Sequence, residues 1–188
     1  MPPSEKKVES PVATALMSCL QRIFQKANGL PFSKDPDSLE RDVIEYDSRM
    51  RTFGLERFNG PCFVTSISFY LSQQDMDAHK AQGAIVLFIE ESSVGRILKA
   101  MGEAKFNEDD DEVVFEKCAE FCNVIAMDFQ QEISSLGYKN LVVGKPNAQR
   151  NDIAEGVEFP YDQYKFSELN FYFFKRKAVV VDVVMAPK

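Results

Sequence analysis

The sequence has little of what marks several large classes of protein. It contains one histidine, His79, among 188 residues, and no apolar run approaches the roughly 20 residues that cross a bilayer. Positive charge is also scarce, because 29 acidic residues face 22 basic ones and the net charge is −7. A nucleic-acid surface needs positive charge to displace phosphate counterions. These absences argue against a nucleic-acid-binding protein and against membrane insertion.

The patterns of several enzyme classes are missing as well. The sequence has no P-loop and no dinucleotide-binding fingerprint. His79 lies in a polar connector with no nucleophile pattern around it, so Ser/His/Asp or Cys/His catalysis is not indicated and we interpret it as a solvated loop residue. The four cysteines (Cys19, Cys62, Cys118 and Cys122) are too scattered for a zinc site, and we interpret them as buried free thiols. No metal or other cofactor is expected on this chain.

What remains is the composition of an ordinary globular protein, with 45% hydrophobic and 27% charged residues. Residues 1–10 are polar and predict a disordered tail, whereas residues 11–188 suit one domain in length. The first lysines have no apolar stretch behind them, which is not typical of a secretory signal. Free thiols suit a reducing compartment, so the sequence predicts a cytoplasmic protein.

Hydrophobic periodicity predicts both helices and strands, with the strands grouped in blocks. Strands in blocks favour an α+β fold with a largely antiparallel sheet. Residues 31–40 and 146–160 are polar and contain prolines, which predicts loops. The predicted helices span residues 11–27, 92–101 and 111–136, and the predicted strands span 43–46, 62–71, 84–89, 141–143, 169–174 and 178–184, with a hairpin tip at 175–177.

The long helix predicted over residues 111–136 has two distinct faces. The acidic run at residues 108–112 is typical of a helix start, where negative charge complements the macrodipole. Glu116, Glu120 and Asn123 step by four and three residues, so they should form an outward row. Apolar residues at the same spacing form a stripe that should face the core: Phe115, Cys118, Cys122, Ile125, Phe129, Ile133 and Leu136.

A row of polar residues on a helix is most often a solvated surface, and spacing alone leaves that interpretation open. Asn123 fits it less well than the two glutamates, because asparagine in mid-helix costs a few tenths of a kcal/mol relative to alanine.

The segment at residues 120–126, Glu-Phe-Cys-Asn-Val-Ile-Ala, resembles the Glu-x-x-Asn-x-Ile-Ala signature of the CheX/CheC/FliY phosphatases of bacterial chemotaxis, and CheX-like members most of all. The similarity runs in order over roughly residues 60–185, with further matches at 83–87, 101–103, 132, 136–138 and 146 and in the paired strands near the C-terminus. The segments at 31–60 and 146–165 look long for this family.

The resemblance implies a CheC-like fold and a phosphatase that acts on the phospho-aspartate of a CheY-like response regulator. It implies that Glu120 pairs with a lysine of the regulator, while Asn123 orients the attacking water. Asn123 suits this task because a carboxamide both donates and accepts hydrogen bonds. Glu116 is a candidate partner-binding residue. Mg²⁺ is expected in the regulator rather than in this chain, and a homodimer is expected, for which the Val-rich strand at 178–184 could supply an edge.

Two departures from the family keep other functions open. Glu116 replaces the Ser or Asp of many relatives, and Met127 replaces a glycine that many relatives carry four residues after the asparagine. A larger side chain at 127 could change how closely a partner packs. The alternatives are therefore a domain that binds receiver domains without hydrolysis, and a dimeric assembly domain that shares only the fold.

Overall fold

A sheet of seven strands forms the centre of the fold in the computed structural model, which describes residues 10–27, 29–52, 54–102, 105–150 and 156–188. The elements in chain order are α1 (Pro11–Lys26), β1 (Lys34–Asp42), β2 (Glu45–Tyr46), β3 (Arg49–Met50), α2 (Leu55–Phe58), β4 (Cys62–Tyr70), α3 (Gln73–Asp77), β5 (Gly83–Glu90), α4 (Glu91–Ala100), α5 (Asp111–Ile133), β6 (Val142–Val143), β7 (Asn147–Arg150), β8 (Lys165–Phe173) and β9 (Arg176–Met185).

The strand order is β1-β8-β9-β5-β4, and β4 continues to β6 at one end and to β7 at the other. Every pairing in this sheet is antiparallel. The predicted α+β class with an antiparallel sheet is confirmed. Strands β2 and β3 form a separate two-stranded hairpin.

The sheet is covered on both faces, because alternate side chains of each strand point to opposite sides. On β5, Ile85, Leu87 and Ile89 belong to the core beneath α1, α4 and α5, and we call this side the helical face. Val86 and Phe88 point the other way into a smaller core. That side, which we call the outer face, is covered by the segments around β2, β3 and α2 and by residues 156–166.

Two segments predicted as loops contain strands. Residues 34–42 form β1, which pairs with β8 at the edge of the sheet. Most of this strand lies within the loop predicted at 31–40. Residues 147–150 form β7 against β4. Neither segment shows the apolar alternation of a half-buried strand. The pairing with a neighbouring strand overrides the weak local preference. Pro36 lies where the register shifts between Lys34 and Asp37. Proline has no backbone N–H to donate, and an edge strand tolerates this at such an irregularity.

The Val-rich C-terminal strand cannot supply an edge for a dimer, which corrects that part of the sequence-based expectation. It lies within β9, which pairs with β8 on one side and with β5 on the other. Its backbone donors and acceptors are therefore engaged on both sides. The continuous apolar sequence of residues 178–181 and 183–184 reflects an interior position, with burial on both faces.

The predicted disordered tail at residues 1–10 lies outside the described residues except for Ser10. This residue caps α1, and its hydroxyl accepts a hydrogen bond from the backbone N–H of Ala13 at 3.4 Å. The four cysteines are buried free thiols, as predicted. Burial raises the pKa of Cys19, Cys62 and Cys118 to about 12. Among the described residues, no helix has the length and apolar character needed to cross a membrane.

Candidate functional site

The candidate site lies on α5, and the start of this helix follows from its acidic sequence. Asp110 is the N-cap, and its carboxylate accepts a hydrogen bond from the backbone N–H of Glu112 at 3.1 Å. Asp111 and Glu112 in the first turn complement the positive end of the helix. Asp111 also receives two hydrogen bonds from the Arg150 guanidinium, at 2.7 and 2.9 Å, which lower the pKa of its carboxyl.

The inward face of α5 matches the predicted stripe over most of its length. The stripe residues between 118 and 133 are all fully buried, and Phe115 is partly buried. The prediction is wrong for Leu136, which is 40% exposed. The α-helix ends at Ile133 and continues as a 3-10 turn over Ser134–Leu136, so the side chain of Leu136 leaves the α-helical stripe.

The three predicted site residues lie on the outward face of α5. Glu116, Glu120 and Asn123 are exposed, and their three- and four-residue spacing makes them neighbours on one helix surface. Glu120 forms an ion pair with Lys117, whose Nζ is 3.0 Å from Oε2. Within the described part of the chain, the side chains of Glu116 and Asn123 have no hydrogen-bond partner. The Asn123 carboxamide is therefore available to a group that arrives from outside.

Acidic side chains dominate the surface around Asn123. Glu116 and Glu120 lie two turns and one turn before it on the same side of α5. Asp128 and Glu132 lie farther around the helix, on the flank beside α1. The Arg22 guanidinium of α1 is 3.3 Å from Asp128 and 3.0 Å from Glu132, so these two carboxylates are partly neutralised. Glu120 is likewise paired with Lys117, so among these four acids Glu116 is the one with no ion-pair partner in the described part of the chain. It would attract a basic group on a partner, although salt would screen that attraction.

Two exposed apolar side chains lie beside Asn123. Val124 is 54% exposed and Met127 is 47% exposed. In the sequence, Met127 stands out only as a departure from a family pattern, and nothing predicted a role for Val124. The signal was present, since at about 100° per residue Met127 falls within the polar row and Val124 falls between that row and the buried stripe. A surface that combines acidic, amide and apolar groups can contact a protein.

His79 lies far from this surface in the sheet topology, at the loop between α3 and β5. Its side chain is 75% exposed, as expected of a loop histidine, and its Nδ1 lies 2.7 Å from Oε1 of Glu158. Within residues 10–27, 29–52, 54–102, 105–150 and 156–188, no group of three or more His, Cys, Asp or Glu side chains is arranged to hold a metal ion.

Solved structures with this fold include several chemotaxis proteins. CheX from Desulfovibrio desulfuricans aligns with a TM-score of 0.61 at 12% identity, over 94% of this chain and 100% of that chain. FliY from Thermotoga maritima aligns with a TM-score of 0.55 at 17% identity, over 99% and 92% of the two chains. A CheC-like superfamily protein from a Shewanella species aligns with a TM-score of 0.51 at 14% identity, over 92% and 93%.

No family model and no curated protein matches the sequence. The structural likeness nevertheless extends over nearly the whole chain and nearly the whole of each of these three structures. At these identities the likeness concerns the fold. The chain therefore has the fold of the CheX, FliY and CheC-like chemotaxis proteins, as the signature on α5 predicted.

Proposed function

We propose that this chain is a phosphatase that accelerates loss of phosphate from the phospho-aspartate of a CheY-like receiver domain. The observation that carries the proposal is the exposure of Glu120 and Asn123 on one face of α5, in a fold that chemotaxis proteins share. The sequence around these residues resembles the phosphatase signature over seven positions. The proposed partner is a protein, which suits a site on a convex helix face.

Asn123 is the proposed catalytic residue. A phospho-aspartate is already activated by the receiver's own Mg²⁺ and lysine, so positioning of the attacking water is the contribution left to a second protein. The Asn123 carboxamide can accept a hydrogen bond from that water through its oxygen and can donate one through its nitrogen. It needs no change of protonation to do so. Its lack of an internal partner among the described residues leaves both groups free for this role.

Glu120 is the proposed docking residue, since its carboxylate would be repelled by the phosphoryl group. Its ion pair with Lys117 is at the surface and therefore weak, so a lysine of the receiver can displace Lys117 at little cost. The three-residue spacing allows Glu120 and Asn123 to reach the same partner surface. Glu116 lies one turn before Glu120, and we propose that it extends the contact. In this scheme the receiver contributes Mg²⁺ and this chain contributes none. Four buried free thiols suit the reducing cytoplasm, where we expect the reaction to occur.

The exposure of Met127 favours a second candidate function. A side chain of this size one turn after Asn123 could hold the receiver slightly farther from α5. In that case the chain would bind receivers without hydrolysis. The homodimer that the family resemblance implies stays a prediction.

The test is the rate of phosphate loss from a phosphorylated receiver domain, obtained from the same organism by capture on the immobilised protein. We expect the wild-type chain to raise the rate. Asn123→Ala should reduce the acceleration at least about tenfold, because a positioned hydrogen-bonding group contributes on that scale or more. Gln131→Ala is the matched control, since Gln131 is another exposed carboxamide on α5, two turns later.

Binding measured in parallel separates the candidates. Receiver binding with phosphate loss at the spontaneous rate would identify a docking module. Absence of binding would leave an assembly domain. Glu120→Gln should weaken binding more than it lowers the rate at saturating receiver, and an unchanged affinity would contradict the docking role of Glu120.

A further inference from the structure

A polar cavity of about 320 Å³ opens on the outer face of the sheet, beside β6 and β7. Strand β4 forms one side of it through Ser66, Ser68 and Tyr70. The other sides come from β3, from α3 and the loop that follows it, and from the segments at 144–147 and 156–158. A concave space of this size suits a small molecule. We call it the polar cavity, and the sheet separates it from α5.

The walls of the polar cavity are held by hydrogen bonds between these segments. The Gly144 N–H donates to the Ser68 carbonyl at 2.8 Å, and the Ser68 hydroxyl donates to the Glu158 carbonyl at 2.8 Å. Met50 and Val157 exchange two backbone hydrogen bonds of 2.9 Å each. A Cβ at position 144 would lie 3.1 Å from the Ser68 carbonyl oxygen, so glycine permits this close approach. The cavity is therefore formed before a ligand arrives.

Glu158 is the one acidic residue among the described residues that line the polar cavity, and its carboxylate is already engaged. The Tyr70 hydroxyl donates to its Oε2, and Nδ1 of His79 lies 2.7 Å from its Oε1. The side chain of Glu158 is only 17% exposed. A cationic ligand would have to compete with these neighbours for the same two oxygens, so the cavity offers little to a cation.

The groups in the polar cavity that lack a partner are mainly donors. Within the described part of the chain, the side chains of Ser66, Lys145 and Asn147 make no hydrogen bond. Arg49 has one ion pair, with Glu158 at 3.8 Å, which is too long for a hydrogen bond. Ser66 and Asn147 are cross-strand partners, so their side chains lie next to each other on this face. Two permanent cations thus border the cavity against one carboxylate, in a chain whose net charge is −7.

We propose that the polar cavity binds a small anion through a phosphate or carboxylate group. Both groups present several acceptor oxygens, which match the unengaged donors of the four side chains. Hydrogen bonds from Lys and Arg to an oxyanion are charge-assisted and therefore stronger than bonds between neutral groups. Arg49 and Asn147 belong to the two segments that look long for the family, 31–60 and 146–165. A bound anion joins these segments on the outer face, while the candidate site on α5 stays open to a receiver domain.

The test is a titration of the isotope-labelled chain with inorganic phosphate, followed through the backbone amide signals in NMR spectra. We expect saturable shifts at Ser66, Lys145 and Asn147, and smaller ones along α5. Sodium chloride at the same ionic strength is the reference, because an effect of screening alone would be the same in both salts. Acetate titrated in parallel distinguishes the two groups, since tighter binding of phosphate indicates a phosphorylated ligand and tighter binding of acetate a carboxylated one.

Two substitutions test the donors. Lys145→Met should weaken phosphate binding about tenfold or more, because it removes a charged donor and keeps most of the length of the side chain. Arg49→Met repeats the test from a second segment, with the same expected loss. Lys139→Met is the matched control, since Lys139 is another exposed lysine but lies outside the polar cavity, and we expect it to bind phosphate as the wild type does.

Phosphate and acetate shifts no larger than those with chloride would overturn the proposal. A phosphate affinity that survives both Lys145→Met and Arg49→Met in folded protein would also overturn it, as would an equal loss of affinity in Lys139→Met. Far-ultraviolet circular dichroism establishes that each variant is folded.

Discussion

Two carboxylates are buried directly opposite each other on β8 and β9. Glu168 and Asp182 are cross-strand partners, and each is almost completely inaccessible to solvent. Like charges in such a pair repel. Arg57 of α2 lies between them, with hydrogen bonds of 2.9 and 2.8 Å to Asp182 and a further one to Glu168. Arg41 also binds Glu168, but its side chain is half exposed.

Removal of Arg57 should therefore be costly. We expect Arg57→Leu to lower the free energy of unfolding by about 3–5 kcal/mol, because it leaves two buried acids without their shared buried cation. Arg41→Leu should cost less, within about 1 kcal/mol, since its pair with Glu168 is partly exposed. Urea unfolding monitored by circular dichroism measures both. Equal losses for the two variants would contradict the central role of Arg57.

The same site predicts the sign of a pH dependence. Burial raises the pKa of Asp182 from 3.8 to about 7, although Arg57 and Arg41 oppose the change. The folded protein then binds this proton more tightly than the unfolded chain, so the contribution of Asp182 to stability is present below pH 4 and is lost as pH rises through 7. Without Arg57 the pKa of Asp182 should rise further. The stability difference between Arg57→Leu and the wild type should therefore be larger at pH 8 than at pH 5, as urea unfolding at the two pH values would measure. A difference that grows toward pH 5 would contradict this assignment.

At the scale of single elements, the β8–β9 hairpin turns through two residues in the left-handed region, Phe174 at φ 55° and Lys175 at φ 63°. In the type I′ turn, which two-residue hairpin loops prefer, both central residues have positive φ. Glycine or asparagine usually occupies these positions. Phe174 is retained by its contacts, since the Arg96 guanidinium lies 3.5 Å from the centre of its ring. Lys175 has no comparable side-chain contact among the described residues. Its backbone N–H donates to the Ser33 hydroxyl at 3.1 Å, and glycine at this position would keep that hydrogen bond.

We expect Lys175→Gly to stabilise the protein by about 0.5–1 kcal/mol, because glycine adopts positive φ without steric penalty. Lys177→Gly, two residues later within β9, should destabilise by about the same amount, since glycine loses more entropy in a strand. Thermal unfolding of the two variants should therefore shift in opposite directions. A shift in the same direction would mean that the backbone at 175 is not strained.

This hairpin also shows how far element boundaries follow from sequence. The three basic residues at 175–177 predicted the tip, but the turn consists of Phe174 and Lys175, and Arg176 already belongs to β9. The local sequence does not predict a phenylalanine at positive φ, because contact with α4 holds Phe174 in that conformation. The long helix was predictable since its buried stripe repeats over five turns. Strand β1 was not, because Lys34–Asp42 shows no apolar alternation and forms a strand only where β8 provides a partner.

The same distinction, between features set by local sequence and features set by distant contacts, applies to the candidate site. Spacing on one helix was sufficient to predict that Glu116, Glu120 and Asn123 share an exposed face. The layer that covers the outer face joins residues more than 100 positions apart, such as Met50 and Val157, so no local pattern could predict it. Asp182, in the middle of a valine run, was a visible sign of a buried acid, but its partner Arg57 is 125 residues away.

At the scale of the whole molecule, the sheet separates the candidate site on α5 from the outer face. Asn123 lies on the helical face, and Leu55 lies on the outer face, with the interior strands and two cores between them. Substitutions at distant sites without shared contacts act independently to within about 0.5 kcal/mol, which is about twofold in rate. A substitution on the outer face should therefore leave the chemistry on α5 unaffected.

We accordingly expect Leu55→Glu on the outer face to leave the acceleration of phosphate loss from a receiver domain at the wild-type value, to within about twofold. Asn123→Ala on α5 should instead lose the acceleration. The measurement is the rate of phosphate release at matched chain concentrations, with circular dichroism of the same samples to establish that each variant is folded. If Leu55→Glu lowers the rate in folded protein as strongly as Asn123→Ala does, the two faces of the sheet are coupled, and the chemistry on α5 depends on the layer that covers the outer face.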